Sequence, residues 1–457
     1  MLSLALAAPW FVAVALVFLD GRRRSVGALA VAGVAVNVGA LVAVAASVAS
    51  DGPYEVVTGD WPAGVGITLR ADALGTLFAT LSSAVVLAAL AYEVLSGVRA
   101  RLFPALALFL TTGLTGIFLT GDVFNFFVFF ELSMISAYVL SVYGGERRQI
   151  GGAFIFAVVN LLGSFLFLIA VGAIYHVTGS LDMAAIARRF GEVEPASAIL
   201  IAVTFFVAFG VKLGLFPFHF WLPPLYTGAR PAVAAMLAGA LANIGSYGLI
   251  RFGAGLLPNE LGFGAPVLLA LGAASVLYGS IQALSRRAVA EVLAYSSIGQ
   301  AGYILIALAV GGPAGYTAAV VYAVVNSVNK ALLFLTIGVR GWLVGAAFVV
   351  GAFSVTGIPP SAGFFGKVAL FQAAVAEQSV ALGVLVFVGG ALSFVYMFQI
   401  YQQDYWSGRD RAGVPRPAPR AVALAVAAVV LGLGVWPEPL LALTAAAAEV
   451  LAPGAAP

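Results

Sequence analysis

The stretch GDVFNFFVFFELSMISAYVL, residues 121–140, decides the fold class of this chain. It is long and apolar enough to form a helix across a hydrocarbon core of about 30 Å, yet Glu131 lies near its middle. An ionisable side chain at the centre of a bilayer costs roughly 2.5–3.5 kcal/mol on insertion scales, so it usually has both a partner and a function. The stretch therefore predicts a membrane-spanning helix that holds a functional carboxylate.

The composition extends this prediction to the whole chain. Of the 457 residues, 62% are hydrophobic and only 9% are charged, whereas soluble domains carry about 25% charged residues. Apolar runs of membrane-spanning length recur throughout, which predicts an all-α polytopic membrane protein of about fourteen transmembrane helices. The predicted spans are 2–19, 26–49, 71–95, 102–120, 123–143, 150–175, 196–220, 230–252, 264–284, 289–311, 314–339, 342–376, 379–403 and 420–449.

Two of these spans are predicted to be broken. The span 342–376 is too long for one crossing and contains GIPP at 357–360, while 196–220 contains Pro217. A proline inside a helix removes one backbone hydrogen bond and costs about 3 kcal/mol unless another group replaces that bond. Broken helices in both halves of a transporter point to an ion path.

The arginines predict the orientation, because cytoplasmic loops of membrane proteins are enriched in basic residues. Fifteen arginines follow odd-numbered spans: Arg22, Arg23, Arg24, Arg99, Arg101, Arg147, Arg148, Arg230, Arg286, Arg287, Arg340, Arg409, Arg411, Arg416 and Arg420. Four fall on the other side: Arg70, Arg188, Arg189 and Arg251. This bias predicts a multi-pass protein of the cell membrane with both termini outside. The outer connection 51–70 alternates polar and apolar residues around glycines, which predicts a small β-hairpin.

The chain lacks the residues that several classes of function require. The chain has no cysteine and only two histidines, whereas iron–sulfur clusters need thiolates and haems in helix bundles usually need paired imidazoles. No Rossmann fingerprint or P-loop is present, and a net charge of +3 gives no indication of nucleic-acid binding. The sequence therefore predicts neither a cofactor nor a metal centre.

The placement of the three lysines carries the functional argument. Every arginine lies at or near a predicted helix end, whereas Lys212, Lys330 and Lys367 lie inside apolar spans. Arginine stays protonated in proteins, while a buried lysine can give up its proton. We therefore predict that the lysines carry protons and that Glu131 stabilises the charged form of Lys212. The alternatives are lysines that extend to the membrane surface and a static ion pair that locks two helices.

Uncharged polar residues accompany the lysines on several spans. Asn243 belongs to the eighth span, Ser296 to the tenth, and Asn326 to the eleventh together with Lys330. Such groups are costly in lipid but can hold water or pass protons inside a bundle. They predict a hydrated track along the membrane plane. His219, in FPFHFWLP, either relays protons or bonds to the broken backbone.

Five motifs occur in order along nearly the whole chain: TGDVFNFFVFFELSMISAY, FGVKLGLFPFHFWLP, AYSSIGQAGY, NKALLFL and GIPPSAGFFGK. In this combination the chain resembles the antiporter-like subunits shared by Mrp-type Na+/H+ antiporters, complex I and membrane-bound hydrogenases. WPAGVGITLRADALGTLF followed by LTGDVFNFFVFFE is most similar to the D-type chain of Mrp antiporters.

The resemblance implies two inverted five-helix repeats, 102–252 and 264–403, after N-terminal helices in 1–101 and before a C-terminal helix at 420–449. It assigns the central axis to Glu131, Lys212 and Lys367 and aligns Lys330 with a family lysine. Two departures stand out. Asn243 occupies a position where the family usually has lysine or histidine, and Tyr322 and Asn326 replace histidines.

These observations predict a proton-translocating subunit of a monovalent cation (Na+)/H+ antiporter, assembled with other membrane subunits in the lipid bilayer. Its proton path would include Asn243, His219, Tyr322, Asn326 and Ser296. Two alternatives stay open: a proton-pumping membrane subunit of complex I or a hydrogenase, and a degenerate structural subunit.

Overall fold

The computed structural model describes residues 2–60, 66–339, 341–406 and 417–451. In these ranges the chain is almost entirely helical. The α-helices are α1 (Leu2–Val17), α2 (Arg24–Asp51), α3 (Ala73–Ser96), α4 (Phe103–Leu119), α5 (Val123–Ser141), α6 (Arg147–Thr178), α7 (Met183–Arg189), α8 (Pro195–Leu213), α9 (Leu222–Gly228), α10 (Pro231–Ala235), α11 (Asn243–Gly248), α12 (Pro258–Ser285), α13 (Val289–Val310), α14 (Gly312–Ile337), α15 (Trp342–Thr356), α16 (Ala362–Ala376), α17 (Val380–Tyr401), α18 (Pro417–Val435) and α19 (Glu438–Glu449).

Eleven helices of the described chain are long and apolar enough to cross a membrane, and four shorter apolar helices accompany them. The fold class predicted from composition, an all-α polytopic membrane protein, is confirmed. The total of about fourteen crossings and the inverted relation of the two repeats stay predictions.

The predicted hairpin is present. Strands β1 (Tyr54–Val57) and β2 (Thr68–Ala71) pair antiparallel with Tyr54 opposite Ala71. The N–H of Gly121 donates to the carbonyl of Thr68 at 2.8 Å, which joins β2 to the start of α5. Residues 61–65 of this predicted hairpin lie outside the described residues.

Both predicted breaks are confirmed. Helix α8 ends at Leu213 and α9 begins at Leu222, while α15 ends at Thr356 and α16 begins at Ala362. Side chains replace part of the lost backbone bonding, as an interrupted helix in lipid requires. The indole N–H of Trp221 donates to the Val211 carbonyl at 3.0 Å.

The eighth span is irregular along much of its length. Between Pro231 and Leu256, π-helical segments at Met236–Leu241 and Leu249–Leu256 lie on either side of α11, whose first residue is Asn243. Most residues of this span are buried, as are most residues of α13 and α14, whereas few residues of α12 are fully buried. π-Helical turns often occur at functional sites, so the centre of the bundle is where a site is expected.

The prediction of one C-terminal helix over 420–449 is wrong. Helix α18 ends at Val435 and α19 begins at Glu438. Pro437 and Pro439 have no N–H to donate, and a proline ring collides with the carbonyl four residues earlier. The WPEP segment therefore separates two helices.

Candidate functional site

Lys212 lies in the last turn of α8, next to the break. Its side chain is 5% exposed, and its Nζ donates to the Asn160 carbonyl at 2.8 Å and to Ser164 Oγ at 3.2 Å, both on α6. The amine also lies 4.2 Å from the ring centroid of Phe130 on α5. A helix C-terminus carries partial negative charge. The end of α8, the Asn160 carbonyl, the Ser164 hydroxyl and the Phe130 ring are therefore all groups that attract an ammonium ion.

Glu131 follows Phe130 on α5 but does not contact Lys212 directly. No ion pair of 4.0 Å or less joins the two residues. The Oε1 atom of Glu131 is buried and has no hydrogen-bond partner in the described part of the chain. The structure therefore places Glu131 next to Phe130, whose ring lies beside the Lys212 amine, and the stabilisation of Lys212 by Glu131 stays a prediction.

A small cavity extends from Lys212 towards the centre of the molecule. Its volume is about 10 Å³, and Asn160 and Lys212 line it together with Ala242 and Ile244, which flank Asn243. A space of this size can hold about one water molecule. The cavity thus connects the surroundings of Lys212 to the irregular eighth span.

Asn243 is hydrogen bonded to residues from two other helices. Its Nδ2 donates to Ser82 Oγ on α3 at 2.9 Å, to Ser327 Oγ on α14 at 3.2 Å and to the Gly239 carbonyl at 3.1 Å. Ser327 Oγ donates in turn to the same carbonyl at 2.5 Å. Asn243 therefore belongs to a neutral amide–hydroxyl cluster with Ser82 and Ser327. These two serines were not predicted from the sequence.

Lys330 follows this cluster on α14 and is 6% exposed. It forms no ion pair with any described residue. A cavity of about 10 Å³ adjoins it, and its polar lining consists of Ser296, Ser297, Gln300, Asn326 and Lys330 itself. Two predicted path residues, Ser296 and Asn326, are thus at the Lys330 site, with room for about one water molecule.

A hydrogen-bonded network leads from this cavity towards the last lysine. Tyr322 Oη donates to Gln300 Oε1, and Gln300 Nε2 donates to Tyr396 Oη at 3.4 Å. Tyr396 Oη is also 2.9 Å from Ser296 Oγ and donates to Ser393 Oγ at 3.0 Å. Tyr322 therefore belongs to a chain of amide and hydroxyl groups rather than standing alone.

Lys367 lies in the second turn of α16, after the other helix break. Its side chain is buried, and its Nζ has no hydrogen-bond partner in the described part of the chain. The amine lies 3.3 Å from the ring centroid of Tyr303 and 5.4 Å from that of Tyr322. The observed contacts of this amine are therefore cation–π contacts with two tyrosine rings.

His219 lies in the break between α8 and α9. Its Nδ1 is buried without a hydrogen-bond partner among the described residues, and its ring is 4.6 Å from that of Tyr278. It borders a cleft of about 310 Å³ whose lining includes Arg286 and Glu291. The structure therefore places His219 at a polar cleft that it shares with a basic and an acidic side chain.

The structure places the predicted residues at several sites: Lys212 beside α6, Asn243 in its hydroxyl cluster, Lys330 with Ser296 and Asn326, Lys367 beside Tyr322, and His219 at the polar cleft. The sequence reading missed Ser82, Ser327, Tyr303 and Tyr396, which come from helices packed around the predicted residues. A serine or tyrosine on an otherwise apolar span was the available signal, but such residues are common in helices. No group of three His, Cys, Asp or Glu able to hold a metal ion occurs within the described ranges.

Known proteins share both the sequence and the fold of this chain. Residues 120–341 match the family model described as NADH:quinone oxidoreductase/Mrp antiporter, transmembrane. The D-type chain of a Na(+)/H(+) antiporter from Alkalihalophilus pseudofirmus is 34% identical over 76% of this chain and 75% of its own length. The N-type chain of an NADH-quinone oxidoreductase from Desulforudis audaxviator is 32% identical over 90% of this chain and 89% of its own.

A polypeptide in the structure of the Mrp complex from Dietzia sp. DQ12-45-1b superposes with a TM-score of 0.91 at 28% identity, covering 98% of this chain and 97% of that one. The fold, the order of the motifs and the relatives agree along the chain. This protein belongs to the family of membrane-spanning subunits shared by NADH:quinone oxidoreductases and Mrp antiporters.

Proposed function

We propose that this chain is the proton-translocating, D-type subunit of a multisubunit monovalent cation (Na+)/H+ antiporter. The observation that carries the proposal is the row of three buried lysines, each without a direct carboxylate partner in the described chain and each beside hydroxyl, amide or aromatic groups. An amine held by such groups can exist in both protonation states, as a proton carrier must.

In the proposed mechanism, a proton enters at the cleft beside His219 and reaches Lys212, whose ammonium form is stabilised by the Asn160 carbonyl and by the charge of Glu131. When that charge is screened or moves away, Lys212 releases its proton. Ordered water and the Ser82 and Ser327 hydroxyls then conduct the proton past Asn243, which does not itself titrate.

Lys330 receives the proton next. The hydrogen-bonded groups Gln300, Tyr322, Tyr396 and Ser296 lead from there towards Lys367. Water would bridge the last gap, because Lys367 Nζ has no hydrogen-bond partner in the described chain, and the proton leaves from Lys367 on the opposite side of the membrane. The two helix breaks provide the positions at which water enters from alternate sides.

The topology follows the arginine bias, with both termini outside and the repeats at 102–252 and 264–403. Arg340, Arg409, Arg411 and Arg416 belong to that bias but lie outside the described residues. The protein works beside other membrane subunits of its complex in the cell membrane. That proposal is supported by the antiporter relative from Alkalihalophilus pseudofirmus and by the Mrp complex in which the similar chain was solved.

Two rival functions have specific observations in their favour. The NADH-quinone oxidoreductase relative from Desulforudis audaxviator favours a proton-pumping subunit of complex I. The neutral Asn243 cluster favours a structural subunit that has lost transport, because its described members, Asn243, Ser82 and Ser327, cannot take up and release a proton as a lysine does. Na+-dependent antiport and quinone-coupled pumping, both measured on the same complex, separate the three functions.

The decisive variant is Lys212→Arg. Arginine can still donate to the Asn160 carbonyl and lie over Phe130, but it stays protonated because its pKa is above about 12. We expect Na+-dependent proton movement in everted vesicles to fall on the order of 10²-fold, which is the contribution of a positioned proton-transfer group. The vesicles come from cells without their own antiporters that co-express the partner subunits.

The matched control is Arg24→Lys, the reverse exchange at an exposed position at the start of α2. It should leave both activity and the size of the purified complex unchanged. Wild-type activity in Lys212→Arg would eliminate Lys212 as a proton carrier. Inactivity of the unmodified complex with Na+, together with quinone-coupled pumping, would favour the complex I function.

A further inference from the structure

We propose that Tyr303 is a positioning residue for proton transfer: the face of its ring holds Lys367 in the protonated form in place of a carboxylate. This inference deepens the proposed function and rests on it for its role in transport. The contact itself stands on geometry alone, with the amine 3.3 Å from the ring centroid.

Among the described residues, no carboxylate forms an ion pair with Lys367. Helices α13, α14, α15, α17 and α18 pack against α16. Apart from tyrosines, the ionisable residues on these helices are Glu291, Lys330 and Arg420. Glu291 is the one carboxylate among them and forms no ion pair with Lys367. The tyrosines facing the amine are Tyr303 and Tyr322, and Tyr396 is joined to Tyr322 through Gln300.

The ring of Tyr303, rather than its hydroxyl, is the functional part. The hydroxyl is buried and has no hydrogen-bond partner in the described chain, and it lies against Gly389 of α17, where a Cβ atom would collide with it. Tyr322, in contrast, donates its hydroxyl to Gln300. The two rings thus differ in their contacts. The Tyr303 ring presents its face to the amine at 3.3 Å, whereas the Tyr322 ring is 5.4 Å away and its hydroxyl belongs to the hydrogen-bonded network.

This arrangement has a direct consequence for proton release. An aromatic face attracts an ammonium ion through the ring quadrupole, and the attraction is strongest where water is excluded. The neutral amine gains little from the same face. The ring therefore favours the protonated state without the stronger hold of a carboxylate, which suits a carrier that must release its proton at the end of the row.

The test compares Tyr303→Leu, which removes the ring, with Tyr303→Phe, which removes only the hydroxyl. Purified whole complex is treated with acetic anhydride over a range of pH, and acetylation of Lys367 is quantified by mass spectrometry. Only the neutral amine reacts, so the midpoint of the labelling curve reports its protonation. We expect Tyr303→Leu to move the midpoint by about one pH unit towards acid, and Tyr303→Phe to leave it in place.

Two further variants keep the test decisive. Phe387→Leu removes an exposed aromatic ring from the lipid-facing surface of α17 and should not move the midpoint. Replacement of Tyr303 by trifluorophenylalanine keeps the shape of the Phe variant but weakens the ring face, so its midpoint should fall between those of Phe and Leu. This graded shift can be measured even where the leucine variant does not assemble.

An unchanged midpoint in both the leucine and the fluorinated variant overturns the inference. A shift in Tyr303→Phe as large as that in Tyr303→Leu also overturns it, because the hydroxyl would then be responsible. Antiport is measured on the same preparations. A complex that shows the labelling shifts but no antiport retains the ring contact and refutes the proposed function instead.

Discussion

At the scale of single residues, arginine and lysine occupy different environments in this chain. The arginines that the structure describes lie near helix ends, while each lysine is buried and forms no ion pair with a described carboxylate. A direct salt bridge would stabilise the ammonium form strongly and oppose release of its proton. The observed contacts, a carbonyl, hydroxyls and ring faces, stabilise the cation more weakly and leave the neutral amine accessible.

The serines of α3 give a residue-scale test of the central cluster. Ser82 Oγ accepts from Asn243, whereas Ser83, its neighbour, is equally buried but its hydroxyl has no partner in the described chain. Loss of one buried hydrogen bond costs about 1 kcal/mol, or about fivefold in an equilibrium. We expect Ser82→Ala to lower the antiport rate by about this factor.

Ser83→Ala is the matched control, and it should retain the wild-type rate because no hydrogen bond is lost. Initial rates are compared in everted vesicles at equal amounts of assembled complex. Equal rates in the two variants would mean that α3 takes no part in the path.

At the scale of elements, the interrupted helices create the positions that the lysines need. Lys212 occupies the last turn before one break, where the partial negative charge of a helix end favours a cation. Lys367 follows the other break, and its stem packs against Gly357. Gly434 of α18 approaches the carbonyl of Pro360 in the same break, so a second helix holds this segment in place.

Gly357 is the element-scale test, because its φ of +90° is strained for any residue with a Cβ atom. The added methyl of Gly357→Ala would also collide with Lys367 Cγ. The backbone strain alone costs roughly 1–2 kcal/mol. We expect lower thermal stability of the complex and a reduced antiport rate, since the substitution displaces Lys367.

The control is Gly383→Ala in α17, where a Cβ atom would meet nothing within 4 Å. That change should be neutral or slightly stabilising, because alanine loses less backbone entropy than glycine on folding. Melting curves of the purified complexes compare the two. Equal stability and equal rates would show that the break tolerates a side chain at 357.

At the scale of the whole molecule, α3 is joined to the irregular eighth span at three levels. Asp72, just before α3, accepts from Arg251 Nη2 at 2.7 Å. Ser82 accepts from Asn243 near the middle, and Glu93 near the other end of α3 lies 3.5 Å from Arg230. These contacts align the N-terminal helices antiparallel to the span that carries the central cluster, and they hold Asn243 in register.

The ion pair at Asp72 gives the test at this scale. Burial by itself would raise the pKa of Asp72, but the charges of Arg251 and Arg70 outweigh burial and hold the pKa below its ordinary value. The carboxylate therefore stabilises the fold throughout the neutral range, and this contribution is lost only as pH falls through the depressed pKa. Asp72→Asn leaves a buried arginine without its counter-charge, which costs about 3–5 kcal/mol.

We expect Asp72→Asn to lower the melting temperature and the yield of assembled complex, and Asp72→Asn with Arg251→Met to recover much of both. Glu55→Gln is the control, because Glu55 is more exposed and lies 3.9 Å from Arg70. A double variant as unstable as Asp72→Asn would show that the pair does more than neutralise a buried charge.

Local patterns in the sequence were enough for the class of the fold and for most of its elements. Apolar run length predicted the spans, and Pro217 and GIPP predicted the two breaks, because helix formation and its interruption depend on neighbouring residues. The same rule could have found the break at WPEP, which was overlooked. The lysines stood out as candidates because a buried charge is costly wherever the helices pack.

Only the tertiary structure decided which groups surround those lysines. The contact of Asn243 with Ser82 joins residues 161 positions apart, and Tyr303 meets Lys367 from a separate helix. The absence of a direct Glu131–Lys212 pair is likewise set by how α5, α6 and α8 pack. Hydrophobic periodicity specifies that a helix forms and which face is apolar. The distance between two side chains on different helices depends on crossing angles and on every side chain between them, which no local pattern contains.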